Sequence, residues 1–368
     1  MKITNIEIIP IFIPWKKISP VSPKARGKRE CSLVKVSTDE GITGYSEGGL
    51  NGNSEGAIRA IIEERIKPIL LGENPMHVER LWDKMYSQSL GHNNNRMGIS
   101  IPAIAAVEIA LWDIIGKARK LPIYEMIGGL CKNKIKAYAS LMRYDTPGEV
   151  AETSLRCVAE GYTAVKLNMV MGNPILETVK VVRKAVGDKV TLMLDVNGAW
   201  NPKQAVENVK KLEQYNILWL EAPISPVDDY EGLVYLRERT NISIAGGEYE
   251  NTHFGFKELI TRRAVDIIQP DVTTAGGIST CRKIFALAEA WNLQIVIHSF
   301  TVGPAIAAAM HLSLSNMKSE WVEICATPLE EYYTQPPLRP EKGYLTPSDK
   351  PGLGIEIDED VVKKYSSP

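Results

Sequence analysis

Little in this chain marks it for an oxidising compartment, a membrane or a nucleic acid. Its five cysteines, Cys31, Cys131, Cys157, Cys281 and Cys325, are odd in number and scattered. They give neither a disulfide framework nor zinc-ligand spacing, and they suit a reducing cytoplasm. No apolar run reaches the roughly 18 residues that a membrane span needs. The opening "MKITNIEIIPIFIP" has no basic stretch feeding a continuous apolar core, so it does not read as a signal peptide; it alternates like a strand. Lysine and arginine number 43 against 44 acidic residues, a formal net charge of -1, which leaves no global field to draw nucleic acid or an anionic lipid surface. No glycine-rich phosphate loop follows any strand-like run, and low-complexity sequence is absent. What remains is the expectation of a cytoplasmic globular enzyme, 44% apolar and 24% charged, whose partner is a small molecule.

At 368 residues the chain exceeds one ordinary domain and fits a large barrel with an addition. The first part reads as a meander and then helices. "TNIEIIPIFIP", "CSLVKVSTDEG" and "ITGYSEGG" are strand-like, with "TDEG" as a tight turn. Helices are expected at about 53–67, 76–88 and 100–119. The last, "IPAIAAVEIALWDIIGKARK", is apolar nearly all round and should be buried.

From about residue 134 a helix-then-strand pattern repeats. With "KIKAYAS" as the first strand it gives eight strand-plus-helix units. Thr146-Pro147 and Asn201-Pro202 serve as N-cap and N1 pairs, and Gly161 as a residue just past a helix end. The strands end in Lys166, Asp195, Glu221, Glu248, Asp271, His298 and Glu323, at gaps of 29, 26, 27, 23, 27 and 25 residues by subtraction. Such a period is that of a (β/α)8 barrel, in which all strand ends converge on one mouth.

Three carboxylates in one mouth, Asp195, Glu221 and Glu248, repel one another unless they are protonated or hold a cation. A set of hard oxygen donors favours Mg2+ over Zn2+. Taken singly, each acid could as well cap the next helix or pair with a lysine. Asp271 and His298 end adjacent strands. A carboxylate accepting from one ring nitrogen fixes the tautomer and raises the basicity of the other, which makes a general base near neutral pH. Lys166 could bind a substrate carboxylate or balance the acidic ring. Glu323, if protonated, could donate to a developing oxyanion. His77, His92, His253 and His311 lack such a setting and read as structural or surface residues.

At these residues the sequence resembles the enolase superfamily and, within it, the mandelate racemase subgroup. The resemblance spans essentially the whole chain and rests on "AAVEIALWDIIGKA", "LDVNGAW", "WLEAP", "GGE", "QPDVTTAGGIS" and "IHS" together. It implies an α+β capping domain (1–128), a modified (β/α)8 TIM-like barrel (129–345) and a tail (346–368) returning to the cap. It implies Mg2+ on Asp195, Glu221 and Glu248, a His298–Asp271 base, Glu323 as proton donor to the enolate, and Lys166 and Asn197 near the substrate carboxylate. It also implies a homo-oligomer. Racemases of the subgroup carry Lys-x-Lys on the second barrel strand, the second lysine acting as the opposing base. Here that segment is Lys166-Leu167-Asn168, and Asn168 cannot remove a proton. The residues therefore favour β-elimination of water from a sugar acid, an aldonate-type 2,3-dihydroxy acid giving a 2-keto-3-deoxy acid. Racemisation or epimerisation with Lys166 as second base is the alternative, and a non-catalytic sugar-acid binder is the reading from another class. The segment from Ile18 to Glu30 matches the family's lid loop in position. It carries Lys24, Arg26, Lys28 and Arg29, of which Lys24 and Arg26, with Asn168 and Asn197, are the candidate substrate contacts. Segments 50–54 and 91–99 are expected to join the same mouth.

Overall fold

Alternating isoleucines lay down the first element. In the computed structural model, which describes residues 1–48, 55–89 and 98–366, with the side chains of residues 25, 26 and 55 excepted, β1 (Ile3–Pro14) buries Ile3, Ile6, Ile8, Ile11 and Ile13. It pairs antiparallel with β2 (Lys28–Thr38), which pairs across the expected turn with β3 (Thr43–Gly48). β2 starts earlier than the sequence suggests. Lys28, Arg29 and Glu30 are laddered to Pro14, Ile13 and Phe12, so the end of the expected lid loop is strand. The long β1 offers backbone partners that a loop would leave to water. Segment 50–54 and residues 91–97 lie outside the described residues.

Helix α1 (Glu55–Ile61) runs through a π turn at Ile62–Ile66 into α2 (Lys67–Leu70), followed by α3 (Val78–Gln88), α4 (Ser100–Arg119) and α5 (Ile123–Met126). The barrel then closes with eight parallel strands, β4 (Ile135–Ser140), β5 (Ala164–Asn168), β6 (Thr191–Asp195), β7 (Ile217–Glu221), β8 (Ser243–Gly246), β9 (Ile267–Ile268), β10 (Gln294–Ile297) and β11 (Ser319–Cys325), β11 pairing back to β4. Between them run α6 (Pro147–Ala159), α7 (Ile175–Val186), α8 (Pro202–Leu212), α9 (Tyr230–Arg237), α10 (Thr252–Thr261), α11 (Gly277–Ala290) and α12 (Pro304–Leu314). The expected caps form. Thr146 with Glu149 and Asn201 with Gln204 make capping boxes ahead of Pro147 and Pro202, and Gly161 takes φ +100° just past α6.

The repeat of eight units is corrected to eight strands and seven helices between them. After β11 the chain meets Pro328, Pro336, Pro337, Pro340, Pro347 and Pro351, which break a helix. Instead it lays down β12 (Thr334–Gln335), β13 (Tyr344–Leu345) and β14 (Glu356–Ile357). α13 (Glu359–Tyr365) ends the chain, with Ser366 bridged to Ile11 of β1.

One helix joins cap and barrel. α4 is buried from Ser100 to Gly116 on every side, yet it carries Glu108 and Asp113. Glu108 accepts from the backbone N–H groups of Ile278 (2.7 Å) and Ser279 (2.8 Å) at the start of α11, and from Trp112 Nε1 (2.8 Å). It thereby meets the positive end of that helix. Gly277 makes room for it, at φ +89°, where a Cβ would lie 2.0 Å from Glu108 Oε2. Asp113 accepts from the N–H groups of Tyr45 and Leu353, each at 2.9 Å, tying β3 and the tail to the same helix.

Burial lifts the Glu108 carboxyl to about 7, against the pull of its N–H donors. Native Glu108 thus keeps its proton up to about pH 7, whereas the unfolded chain releases it near its ordinary value. Stability present at low pH is therefore lost as pH rises from about 4.5 to 7. Between pH of about 5 and 7.5 the wild type should lose on the order of 2–3 kcal/mol relative to Glu108→Gln in denaturant unfolding. Equal losses in the two proteins would refute the assignment.

Candidate active site

One residue from each barrel strand plugs the base of the barrel: Tyr138, Ala164, Met193, Trp219, Ala245, Ile267, Val296 and Trp321. Tyr138 and Trp219 meet edge to face, their ring centroids 5.6 Å apart. Side chains alternate along a strand, so the next inward residues form a polar layer above this plug. There Lys166 Nζ lies 2.6 Å from Glu221 Oε1 and 2.8 Å from Glu323 Oε1. Glu221 Oε2 accepts from Trp219 Nε1 (3.0 Å) and Gln269 Nε2 (2.6 Å). All of these groups are buried. Burial opposes the charge on Lys166, but Glu221 and Glu323 outweigh it and hold the ammonium well above its ordinary range. Burial likewise opposes the charge on Glu323; Lys166 and His298 offset it and bring the carboxyl to about 2. Glu323 also accepts the Ser299 N–H, at 3.0 Å.

Above this layer a cavity of about 680 Å³ opens, lined by Asp195, Glu248, Asp271, His298, Asn168, Asn197 and residues of the cap. His298 Nδ1 lies 2.7 Å from Asp271 Oδ2. Asp271 Oδ1 is fixed by the N–H (2.7 Å) and hydroxyl (2.6 Å) of Thr273. A carboxylate held on both oxygens directs the Nδ1 proton toward itself and leaves Nε2 for chemistry. As the side chains stand, Nε2 lies 2.8 Å from Glu248 Oε2. Burial disfavours the imidazolium, but Glu323, Glu248 and Asp271 raise it well above its ordinary range. Burial also opposes ionisation of Glu248, and His298 more than reverses this.

Asp195 and Glu221 are neighbours in strand register. Burial, then the charges of Glu221 and Glu248, push the Asp195 carboxyl well above its ordinary range. Five carboxylates, Asp195, Glu221, Glu248, Asp271 and Glu323, face the Lys166 ammonium and the His298 imidazole around the floor of the mouth. This negative excess and its hard donors suit a divalent cation. Among the described residues the closest-knit group of potential ligand atoms is Glu221, Glu248 and His298, within 4.8 Å of one another. Asp195 is thus coupled to the other two acids by charge, while His298 currently occupies the near side of Glu248.

Asn168 and Asn197 meet through Arg143, which the strand-end ring drawn from the sequence lacked. Arg143 Nε donates to Asn168 Oδ1 (3.0 Å) and a terminal nitrogen to Asn197 Oδ1 (3.2 Å). The signal was present: eight strands were expected with only seven polar ends, and Arg143 stands 23 residues before Lys166, inside the range of the other gaps. Tyr249, beside Glu248 on the cavity wall, was also missed. Of the lid cations, Lys24 and Lys28 line the cavity. Burial, then Arg143 and Arg29, push the Lys24 amine down. Arg29 points inward from β2 and donates to Phe300 O at 2.7 Å. The Arg26 side chain lies outside the described residues. No helix among the described residues is long and apolar enough to cross a membrane.

Known proteins are similar to this chain in sequence and in shape. The model of the mandelate racemase / muconate lactonizing enzyme N-terminal domain matches residues 8–128, and that of the enolase C-terminal domain-like family matches 149–361. The chain is 32% identical over 344 residues to arabinonate dehydratase of Saccharolobus solfataricus, covering 91% of this chain and 90% of that one. It is 32% identical over 353 residues to D-galactonate dehydratase of Ralstonia pickettii, with the same coverage of 91% and 90%. The crystal structure of 3,6-anhydro-D-galactonate cycloisomerase from Zobellia galactanivorans is similar over 100% of both chains, with a TM-score of 0.88 and 34% identity.

The polar layer makes a stability prediction independent of activity. Lys166→Met removes the one ammonium between Glu221 and Glu323 and should cost about 3–5 kcal/mol in denaturant unfolding, because two buried carboxylates then face each other. Adding Glu323→Gln to that variant should recover part of the loss; no recovery would refute the pairing as its cause.

Proposed function

The chain belongs to the mandelate racemase / muconate lactonizing enzyme family of the enolase superfamily, and on that premise we propose that it is an acid-sugar dehydratase, a hydro-lyase converting a 2,3-dihydroxy acid to a 2-keto-3-deoxy acid. The observation that carries this reading is the asymmetry of the mouth. An imidazole backed by a carboxylate at 2.7 Å stands on one side. On the other stand two amides, Asn168 and Asn197, held by Arg143. Lys166, the amine of the barrel strands nearest the centre, is committed to two carboxylates. One base serves an elimination, whereas inversion at a carbon needs a proton delivered to the opposite face. The dehydratase names of the similar proteins support the same reading.

Asp195, Glu221 and Glu248 would hold Mg2+, which supplies Lewis-acid stabilisation of charge growing on the substrate carboxylate. His298 Nε2 takes the α-proton. Asp271 keeps the ring oriented and stabilises the imidazolium that forms. Lys166, from beneath, adds positive potential where negative charge develops on the carboxylate oxygens. Glu323 sustains that ammonium. The cap closes the mouth with Arg29 and the basic segment before it, which excludes water and suits a hydroxylated acid.

The test is a panel of aldonates and related sugar acids, assayed for 2-keto acid with chelator and with restored Mg2+. Wild type should be silenced by chelator and regain activity with Mg2+. His298→Asn should lose both product formation and exchange of the α-proton with deuterated water; retained dehydration would sink the base assignment. Deuterium-labelled substrate of inverted configuration, without keto acid, would show a racemase instead.

A further inference from the structure

The mouth leaves open what helps the β-hydroxyl depart. Lys166 lies buried at the floor of the cavity, held by both neighbouring carboxylates. On the wall away from His298 stand the amides of Asn168 and Asn197. Asn168 ends the second barrel strand, Asn197 follows the third and His298 follows the seventh. In a closed ring of eight these are facing sides of one opening.

Amide orientation on that wall is dictated by its neighbours. A guanidinium only donates, so the Asn168 and Asn197 groups that meet Arg143 are their oxygens. Asn197 Nδ2 is spent on Asn168 Oδ1 (3.3 Å) and Met169 O (3.1 Å). Asn197 is further fixed by its backbone, which takes φ +47° and donates its N–H to Asp195 Oδ1 at 2.9 Å. Asn168 Oδ1 therefore has two donors, and its amide cannot turn over without setting N–H against N–H. That leaves Asn168 Nδ2 as the amide donor of the pair with no acceptor among the described contacts, on a residue that lines the cavity. The Arg143 backbone carbonyl is itself held by the Ser22 hydroxyl from the lid segment.

We propose that Asn168, its amide locked by Arg143, donates a hydrogen bond to the departing β-hydroxyl oxygen on the face opposite His298, with Arg143 as the positioning residue. This rests on the dehydratase reading above. His298 Nε2 takes the α-proton, and the C–H electron pair becomes the new carbon–carbon double bond. The C3–O bond breaks with its pair going to oxygen, and the hydroxide takes a proton from solvent water. His298 later releases its proton, so one water is lost overall, and the enol takes up a proton at C3 and releases its C2 hydroxyl proton to become the 2-keto acid. The Asn168 N–H is aimed at the oxygen while negative charge grows on it, and proton removal and hydroxyl loss fall on opposite faces. One donor so placed is worth roughly a hundredfold in rate.

The experiment separates the two half-events, using whichever member of the sugar-acid panel wild type dehydrates. Asn168→Leu keeps the size and removes the donor. Its 2-keto acid formation should fall about a hundredfold, while substrate recovered from deuterated water carries deuterium at the α-carbon at a rate within a few-fold of wild-type turnover. Arg143→Ala should show the same split, with elimination partly restored by added guanidinium. The 3-deoxy-3-fluoro analogue, whose leaving group needs less help, should lose less than the parent hydroxy acid in both variants. Elimination intact in Asn168→Leu, or exchange falling in step with it, would overturn the proposal. Failure of wild type to make keto acid from any sugar acid would instead overturn the dehydratase reading on which it rests.

Discussion

A single buried ammonium holds the centre of this protein together. Lys166 lies under the mouth with Glu221 at 2.6 Å and Glu323 at 2.8 Å, on a plug that includes Trp219, Tyr138 and Trp321. Neither acid could be ionised at that depth alone, since the desolvation of one carboxylate costs several kcal/mol. With Lys166 between them, strands β5, β7 and β11 are tied across the barrel by charge as well as by the ladder. Glu221 is then ready-made for a cation above it, one oxygen already turned to Lys166 and the other to Trp219 and Gln269. The negative excess that remains, Asp195 and Glu248 nearer the solvent, is what gives the mouth its appetite for a divalent ion.

The cap depends on the same economy of buried charge. Helix α4 would be a featureless apolar rod without Glu108 and Asp113. Each of these fixes one contact that an alanine could not: the start of α11 in the barrel, and the junction of β3 with the tail. Nearer the mouth, Glu47 accepts the Gly303 N–H at 2.9 Å, and Arg29 caps Phe300 O. These contacts register the cap to the loop just after His298. The segment between β1 and β2 is thus held at both ends by those strands and in its middle by Ser22 on Arg143.

Much of this was legible before any coordinates, because a barrel turns linear period into proximity. Lys166, Asp195, Glu221, Glu248, Asp271 and His298 are recognisable as one site only through their spacing, and the structure brings them together around one mouth. Other features lay off the strand ends or outside what periodicity encodes. Arg143 sits beyond the end of β4, past the apolar run, so strand-end reading stopped at Ser140. The extension of β2 into Lys28–Glu30 is decided by its partner β1 and not by its own charged residues. Glu108 and Asp113 read as polar interruptions in an apolar helix until their acceptor roles are seen. The charge state of Glu323 depends on a lysine 157 residues away in the chain, by subtraction of 166 from 323.

The difference between one base and two turns on a single alternate position of β5. Lys166 and Asn168 share the inner face of that strand, one at the floor of the cavity and the other on its wall. A second ammonium at 168 would stand beside Arg143 in the cavity that Lys24 also lines, where burial and then like charge already push the Lys24 amine down. Such crowding would free a lysine to act as a base near neutral pH. An asparagine there does the reverse. It accepts from Arg143, surrenders any proton-abstracting role and offers an N–H in exchange. On the proposed dehydratase reading the same scaffold, with the proton taken by His298, would commit its carbanion to expelling an oxygen, because position 168 presents a donor to a departing group and no base that could exchange a proton with carbon.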